Sequence, residues 1–169
     1  MYNILDPKIT TELYLVRSGW FSPEYEITDN VYSYGKITYH RLSWRKATAV
    51  TAVATWTFQR EGPFSRTTLI TDQNGITIGK ATRDIFSRKT ILKLQSGLQA
   101  EFYRPSIWAR EYIWESEGYG EIMHINNSLF SLKDAIYIDQ SMVPAALIPL
   151  LTFFGAYLVI LSRRRRARH

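Results

Sequence analysis

The chain ends in the sequence 142-MVPAALIPLLTFFGAYLVILSRRRRARH-169, and the position of this segment decides the fold. Its first twenty residues carry no charge, and the last eight include five arginines. Eleven of the twenty are Leu, Ile, Val or Phe. A helix of that length spans about 30 Å, which matches the hydrocarbon core of a bilayer. Because the segment is apolar on every side, an amphipathic surface helix is excluded. The helix therefore either crosses a membrane or forms the core of a folded domain.

A membrane-spanning helix over 141–162 is the interpretation we favour. Its apolar residues contribute about −3 to −7 kcal/mol on the insertion scale. Pro149 lies inside this predicted helix and is expected to kink it, which membranes tolerate better than soluble cores do. The basic tail over 163–169 would then lie among lipid headgroups at the membrane interface. Its arginines are Arg163, Arg164, Arg165, Arg166 and Arg168.

Two opposing arguments bear on the orientation of such a helix. The positive-inside rule places the arginines in the cytosol and the rest of the chain outside. The first twenty residues, however, show no signal-peptide pattern that would export it. In the reverse orientation only the eight tail residues cross the membrane. We therefore predict a single-pass tail anchor, with the domain over 1–140 in the cytosol.

Residues 12–139 have the pattern of short β-strands. In 46-KATAVTAVATWTFQR-60, apolar residues alternate with threonines, and this period of two places one face in a core. The dipeptide Asn74-Gly75 lies between two alternating arms and predicts a tight hairpin turn with positive φ angles. Turn signals recur at close spacing along the chain. The sequence thus predicts a mainly β fold, an antiparallel barrel, roll or sandwich of about ten to twelve strands, with one C-terminal hydrophobic helix.

A closed barrel gives the terminal segment a second interpretation. With more than about eight strands, the lumen is too wide for its own side chains to fill. An apolar helix is one candidate to fill that space. In this alternative the helix is buried in its own protein, and the arginine tail supplies peripheral affinity for anionic lipid.

Three stretches, with the order of the strands, resemble the tubby-like barrel superfamily, which includes phospholipid scramblases and the LURP-one-related proteins. They are 69-LITDQNGITIG-79, 85-IFSRKTILKL-94 and 129-LFSLKDAIYID-139. The resemblance implies a closed barrel of about twelve strands around a hydrophobic C-terminal helix, and association with lipid. The chain lacks the cysteine cluster that scramblases use for palmitoylation. It also shows no match to their calcium segment or to the phosphoinositide-binding basic residues of tubby proteins. The resemblance therefore implies no activity.

The net charge of +6 comes mostly from the tail. Five of the 21 basic residues lie there, so the remaining 16 face 15 acidic residues and the body carries only about +1. A domain that binds nucleic acid carries a basic face on the domain itself, and we predict no nucleic-acid partner. Cysteine is absent, which excludes disulfide bonds, zinc–thiolate sites and thiol nucleophiles.

One stretch has the composition of a binding surface. The sequence 102-FYRPSIWAREYIW-114 combines aromatic and arginine side chains, which are typical of protein interfaces. The same residues are also suited to the core and the rim of a barrel. The candidate surface, for an unknown protein partner or for lipid, comprises Arg104, Trp108, Arg110, Tyr112 and Trp114.

The pattern of titratable residues favours a non-enzymatic binding or adaptor module. His40 and His124 lie in predicted strands without the HxH or HExxH spacing of a metal site. Glu121 lies three residues from His124, which on a regular strand places the two on opposite faces. Spacing typical of solvated strand faces is also found in two carboxylate pairs, Glu24 with Glu26 and Glu115 with Glu117. We predict no cofactor and no metal, and the least favoured alternative is a hydrolase that uses His124 and nearby carboxylates.

Overall fold

The computed structural model describes residues 1–18, 24–40, 42–128, 132–139 and 142–167, without the side chain of residue 44. In this part of the chain, twelve antiparallel strands form a closed barrel, and one helix follows them. The strands are β1 (Glu12–Ser18), β2 (Glu24–Thr28), β3 (Ser33–His40), β4 (Ser43–Thr51), β5 (Thr55–Arg60), β6 (Thr67–Thr71), β7 (Thr77–Arg83), β8 (Thr90–Leu94), β9 (Gln99–Tyr103), β10 (Glu111–Ser116), β11 (Gly120–Asn126) and β12 (Lys133–Ile138). The predicted antiparallel barrel with a C-terminal helix is confirmed.

The barrel is a continuous meander in which each strand pairs with its neighbours in sequence. The first and last strands close the ring, with Glu12 opposite Tyr137 and Val16 opposite Lys133. Closure satisfies the backbone groups that an open sheet would leave at its two edges. Consecutive loops therefore alternate between the two mouths of the barrel.

The run over 46–60 is a hairpin and not one continuous strand. β4 ends at Thr51 and β5 begins at Thr55, and the Thr51 hydroxyl holds the turn because it accepts a hydrogen bond from the Ala54 N–H (3.0 Å). The turn reverses the parity of burial, so that Ala49 is buried before it and Trp56 after it. The alternation in the sequence placed Val50, Trp56 and Phe58 on one buried face. This is correct for Trp56 and Phe58 in β5 and wrong for Val50, because in β4 the opposite parity is buried.

The predicted hairpin at Asn74-Gly75 joins β6 to β7 through a five-residue loop over 72–76. Within this loop, Gly75 alone adopts a positive φ angle, of 77°. The Asp72 carboxylate accepts hydrogen bonds from the N–H groups of Asn74 and Ile76, both 2.9 Å long. The loop is thus longer than the tight turn that the dipeptide predicted, because the Asp72 side chain organises it.

The terminal helix, α1, spans Ile148–Arg166 and follows a 3₁₀ turn over Ala145–Leu147. Pro149 lies in the first turn of α1, where its missing N–H has no intrahelical partner to lose. The expected kink at Pro149 was therefore wrong, because the helix begins seven residues later than the predicted span over 141–162.

The α1 helix lies inside the barrel. Twelve of its residues are buried, from Ile148 to Leu161, and they contact strands on different sides of the ring. Phe153 packs on Trp56 of β5 with ring centroids 6.1 Å apart, and Phe154 packs on Trp114 of β10 at the same distance. The segment Ala145–Arg166 has the length and hydropathy of a membrane-spanning helix. In this structure its apolar surface is covered by strands.

Polar groups fix the position of α1 in the lumen. The Trp114 indole N–H donates a hydrogen bond of 3.0 Å to the Leu151 carbonyl. The Tyr112 hydroxyl donates one of 2.8 Å to the Ser162 hydroxyl near the other end of the helix. Two donors on one strand, β10, therefore set the height and rotation of the helix within the barrel.

The helix backbone packs tightly against the barrel wall at Gly155. A Cβ atom at this position would lie 2.6 Å from the Trp114 indole nitrogen and 2.9 Å from Ile125 Cδ1. Both distances are shorter than real Cβ contacts. Gly155 is therefore required by packing, and not by the conformation of the backbone.

Loss of the helix should unfold the barrel. A chain that ends at Gln140 loses nine large apolar or aromatic buried side chains, each contributing about 1.5–3 kcal/mol. Their combined contribution equals or exceeds a typical free energy of unfolding of about 5–15 kcal/mol. We expect aggregation or a disordered circular dichroism spectrum for this chain. A control chain that ends at Ala167 should fold like the full chain. A soluble, cooperatively folded chain ending at Gln140 would show that the helix is dispensable to the core.

Gly155→Ala should destabilise the protein by about 1–3 kcal/mol, because the new methyl group overlaps the Trp114 ring. In an exposed helix the same change stabilises by about 1 kcal/mol, so the sign reports on the contact. Gly118→Ala is the control, since its Cβ would meet no atom within 4 Å. Urea unfolding measures both variants, and a neutral or stabilising Gly155→Ala would contradict the packing.

Candidate anion-binding site at the basic mouth of the barrel

The arginine end of α1 emerges at one mouth of the barrel, which we call the basic mouth. Its described part comprises residue 42, loops 61–66, 84–89 and 104–110, and residues 127–128 and 132, which lie between strands at the same end as the helix terminus. The three loops over 61–66, 84–89 and 104–110 carry five basic side chains and two carboxylates, and the last turn of the helix adds four arginines. This mouth is therefore strongly positive.

The first two arginines of the tail contact the barrel wall. Arg163 forms an ion pair with Asp134, whose side chain is 1% exposed, and its Nε donates a 3.0 Å hydrogen bond to the Asn127 side chain. The guanidinium carbon of Arg164 lies 4.1 Å from the centre of the Tyr39 ring. Both residues therefore help to seal the barrel around the helix, in contrast to the free tail that the sequence suggested.

The next two arginines face a cavity of about 600 Å³. Arg165 and Arg166 lie on one side of it, and the ends of β5, β7 and β9 with their loops form the other. Seven arginines line the cavity, and the lining residues that the structure describes include no carboxylate. They are Arg60, Arg66, Arg83, Arg88, Arg104, Arg165 and Arg166.

Crowding of like charges is strongest around Arg165. Burial lowers the pKa of its guanidinium, and the charges of Arg83 and Arg60 lower it further. Three guanidinium groups thus share a partly desolvated space without a neutralising partner among the lining residues. An anion would relieve this repulsion and accept several hydrogen bonds, and phosphate oxygens fit arginine forks in pairs.

Hydroxyl groups complete the lining. Thr68, Ser87, Thr90, Ser106 and Ser162 all border the cavity. Neutral donors beside fixed cations are the usual composition of a phosphate site. The cavity therefore has the size, charge and donors to bind a phosphate-bearing group.

Arg104 has a structural role at the edge of the cavity. Its guanidinium donates hydrogen bonds to the carbonyls of Ile107 and Ala109, including a bond of 3.0 Å from Nε to the latter, and lies 5.6 Å from the Tyr112 ring. These bonds hold loop 104–110 in a fixed shape. The loop in turn presents Trp108 to solvent, with 85% of its surface exposed.

Apolar side chains at the loop tips surround the cavity. Each of the five connections that the structure describes at this mouth presents a large apolar residue that is at least 79% exposed. We call these residues the apolar rim, and they are Leu42, Phe64, Phe86, Trp108 and Leu132. Aromatic residues next to basic ones are characteristic of surfaces that enter the interface of a bilayer.

The opposite mouth has a different charge. Its loops over 29–32, 52–54, 72–76, 95–98 and 117–119 contain three carboxylates and no lysine or arginine. Val31, Val53 and Ile76 are exposed there, so exposed apolar residues alone do not distinguish the mouths. The combination with positive charge occurs at the basic mouth.

The candidate surface over 104–114 is divided by the structure. Because β10 turns Trp114 and Tyr112 toward the lumen, neither lies on the outer surface. Trp114 is fully buried against α1, whereas Tyr112, 5% exposed, lines the cavity. Trp108 and Arg110 are exposed near the cavity. Of the predicted interface arginines, residues 163–166 contact the mouth as described, and Arg168 lies outside the described residues.

Sequence reasoning missed Arg60, Arg66, Arg83 and Arg88. They lie at the ends of separate strands or in the loops that follow, and no local motif connects them. The available signal was their position at strand ends. Arg60 and Arg83 are the last residues of β5 and β7, which both end at the basic mouth. The closed register of the barrel is needed to bring them together.

The other titratable residues considered above lie outside this mouth cavity. His40 contacts the Thr48 hydroxyl at 3.2 Å, Glu24 pairs with Lys36, and Glu115 accepts a hydrogen bond from Tyr103. That bond, with burial, raises the pKa of Tyr103 to about 12. These contacts are those of a solvated barrel wall.

No family model matches this chain, and neither does any curated protein or solved structure.

Arg165→Gln should raise the melting temperature in a buffer without multivalent anions, because it removes one of three crowded charges. Pyrophosphate should stabilise the original protein more than the variant, which reduces or reverses the difference. Arg164→Gln is the matched control and should lower the melting temperature slightly, since it loses the contact with Tyr39. A destabilised Arg165→Gln protein and no response to pyrophosphate in either form would argue against an anion site.

Proposed function

We propose that this protein is a non-enzymatic binding barrel that attaches to anionic membranes by its basic mouth. The arginine-lined cavity takes a phosphate-bearing lipid headgroup, the apolar rim enters the interfacial region, and α1 is the core of the barrel. The observation that carries the proposal is the coincidence at one mouth of seven cavity arginines with five exposed apolar loop tips.

Charge and hydrophobic contact supply different parts of the attachment. A basic residue near an anionic leaflet contributes about 1 kcal/mol, so several arginines together suffice for peripheral binding. That attraction decays within a Debye length of about 8 Å at physiological salt. Apolar loop tips add a contribution that salt does not screen, and they select a bilayer over a soluble polyanion.

The acidic charge of the opposite mouth supports a single orientation on the membrane. Its three loop carboxylates would be repelled by an anionic surface, whereas the basic mouth is attracted. A barrel with charge of opposite sign at its two ends is therefore aligned before contact.

A membrane anchor remains the second proposal, because the segment Ala145–Arg166 is long and apolar enough to span a bilayer. Such an anchor requires the helix to leave the lumen. The nine large side chains of the helix and the inner faces of the strands would then lose their mutual contacts. We therefore place the peripheral barrel first, and the relation to tubby-like barrels stays a prediction that agrees with it.

The proposal predicts that the full chain sediments with vesicles of phosphatidylcholine and phosphatidylglycerol but not with phosphatidylcholine alone. Replacing Phe64, Phe86 and Trp108 by serine should weaken binding at least tenfold, since each is worth about 1.5–3 kcal/mol when fully buried. The matched control replaces Val31, Val53 and Ile76 at the opposite mouth by serine and should bind normally. Equal losses in the two triple variants would contradict a membrane-facing basic mouth.

Extraction separates the two proposals. Binding of a peripheral barrel should weaken as ionic strength rises, and an alkaline carbonate wash should release it from membranes. A tail-anchored protein resists both treatments, and that result would support the membrane-anchor proposal.

A further inference from the structure

A second cluster of functional groups lies on the outer wall of the barrel, away from the basic mouth. His124 of β11 contacts three carboxylates. Its Nδ1 lies 2.6 Å from a Glu111 oxygen, and its Nε2 lies 3.0 Å from Oε2 of Glu121 and 3.0 Å from Oδ2 of Asp139. The side chain of His124 is 20% exposed, so the cluster can be reached from solvent.

A β-bulge creates this arrangement. Trp114 of β10 pairs with Met123 and the next residue, Glu115, pairs with Glu121, so that Ile122 is an extra residue in β11. Because the bulge shifts the alternation by one residue, Glu121 and His124 lie on the same face. The expectation that they lie on opposite faces was wrong for this reason. Bulges occur often where a strand directs a side chain toward a functional site.

The bulge also positions the third group. The Asp139 N–H donates a 3.0 Å hydrogen bond to the carbonyl of Ile122, the extra residue. This bond places the Asp139 carboxylate beside the imidazole. Its Oδ2 atom is shielded from solvent and accepts no hydrogen bond, although it lies 3.0 Å from Nε2 of His124. The Asp139 side chain as a whole is 42% exposed. Its shielded oxygen needs a positive partner, which either a protonated His124 or a bound metal ion supplies.

The three donors have the composition and spacing of a metal site. Nε2 of His124 and one oxygen each from Glu121 and Asp139 lie within 4.8 Å of one another. Neighbouring ligands of tetrahedral Zn²⁺ are separated by about 3.4 Å for bonds of about 2.1 Å, so small side-chain rotations suffice to admit the ion. Three protein ligands leave the solvent side open for water.

Glu111 has the role that a metal-binding histidine requires of a neighbour. Such a histidine donates its other ring N–H to a carboxylate, which fixes the tautomer and increases the basicity of the ligand nitrogen. Glu111 lies 2.6 Å from Nδ1. With the proton of the neutral imidazole on Nδ1, this contact leaves the lone pair of Nε2 directed toward Glu121 and Asp139.

The charge of the cluster also favours a cation. The three carboxylates give a local charge of −3 beside a neutral imidazole and of −2 beside a protonated one. Within the described part of the chain, no lysine or arginine forms an ion pair with any of the three carboxylates. The competing occupant is a proton on His124, which neutralises only one of the three charges.

We propose that His124, Glu121 and Asp139 bind a divalent transition metal ion of the Zn²⁺ class, with Glu111 as the residue that positions the imidazole. The site joins the bulge of β11 to the end of β12, where the chain leaves the wall toward α1. Binding would therefore fasten the last strand of the barrel at the point where the core helix begins. This site is independent of the basic mouth.

The test uses the untagged full-length chain and Zn²⁺ alone in isothermal titration calorimetry. We expect one equivalent to bind and, with zinc at a hundredfold excess over its dissociation constant, a rise in melting temperature of roughly 5–10 °C. His124→Ala and Asp139→Asn should each weaken binding at least tenfold. Glu111→Gln should keep the stoichiometry and weaken binding by about 10–100-fold.

Matched controls remove the same chemical groups elsewhere. His40→Ala deletes another strand histidine, and Glu117→Gln deletes a carboxylate near the same strands, so both should bind zinc normally. Should the variants at the site fail to fold, nitrogen-15 spectra of the original protein still decide, since Nε2 and not Nδ1 of His124 must shift on addition of zinc. Absence of zinc uptake, or uptake that Asp139→Asn leaves unchanged, would overturn the proposal.

Discussion

The rest of the structure depends on the contact between a wide barrel and the helix that fills it. Twelve strands enclose more volume than their own inward side chains can occupy, and a helix that is apolar on every side has no stable place in water. Each element removes the other's exposed apolar surface. Aromatic rings on the wall and on the helix form this interface, as at Phe58, whose ring lies 5.1 Å from those of both Phe154 and Tyr157. Barrel and helix are consequently one cooperative core.

The same contact determines where charge is found on the molecule. A helix that fills a lumen must end at a mouth, and the residues after its last apolar turn are placed there whatever their function. Arginines suit that position, because the C-terminal end of a helix dipole favours cations. Arg163 and Arg164 have local partners in Asp134 and Tyr39. These two arginines are therefore explained by folding alone.

Much of the fold could be predicted from the sequence, because period-two alternation and turn residues are local signals. The strand-rich antiparallel architecture and the final apolar helix follow from them. The place of the helix does not, since a membrane-spanning segment and a lumen-filling segment have the same composition. Pro149 shows the difficulty: its expected effect depended on where the helix begins, which the structure places at Ile148.

The candidate sites were less accessible to sequence reasoning, for a physical reason. The basic mouth unites Arg60, Arg83 and Arg165, which are far apart in the chain and are brought together by barrel closure. The bulge at Ile122 places Glu121 on the same strand face as His124. No residue in β11 is of a type that predicts a bulge. Parity arguments assume regular strands, so they fail where a single extra residue is inserted.

The surroundings of Arg165 differ from what folding of the barrel alone requires. A soluble cap for the helix needs only solvated charge, and mixed signs would supply it without repulsion. Instead, Arg165 is partly buried beside Arg60 and Arg83. Burial and these neighbouring positive charges both disfavour the charged state of its guanidinium. Local arrangements that oppose stability are concentrated at functional sites, since a ligand supplies what the fold lacks. The crowding around Arg165 is the arrangement that the proposed anionic ligand would relieve.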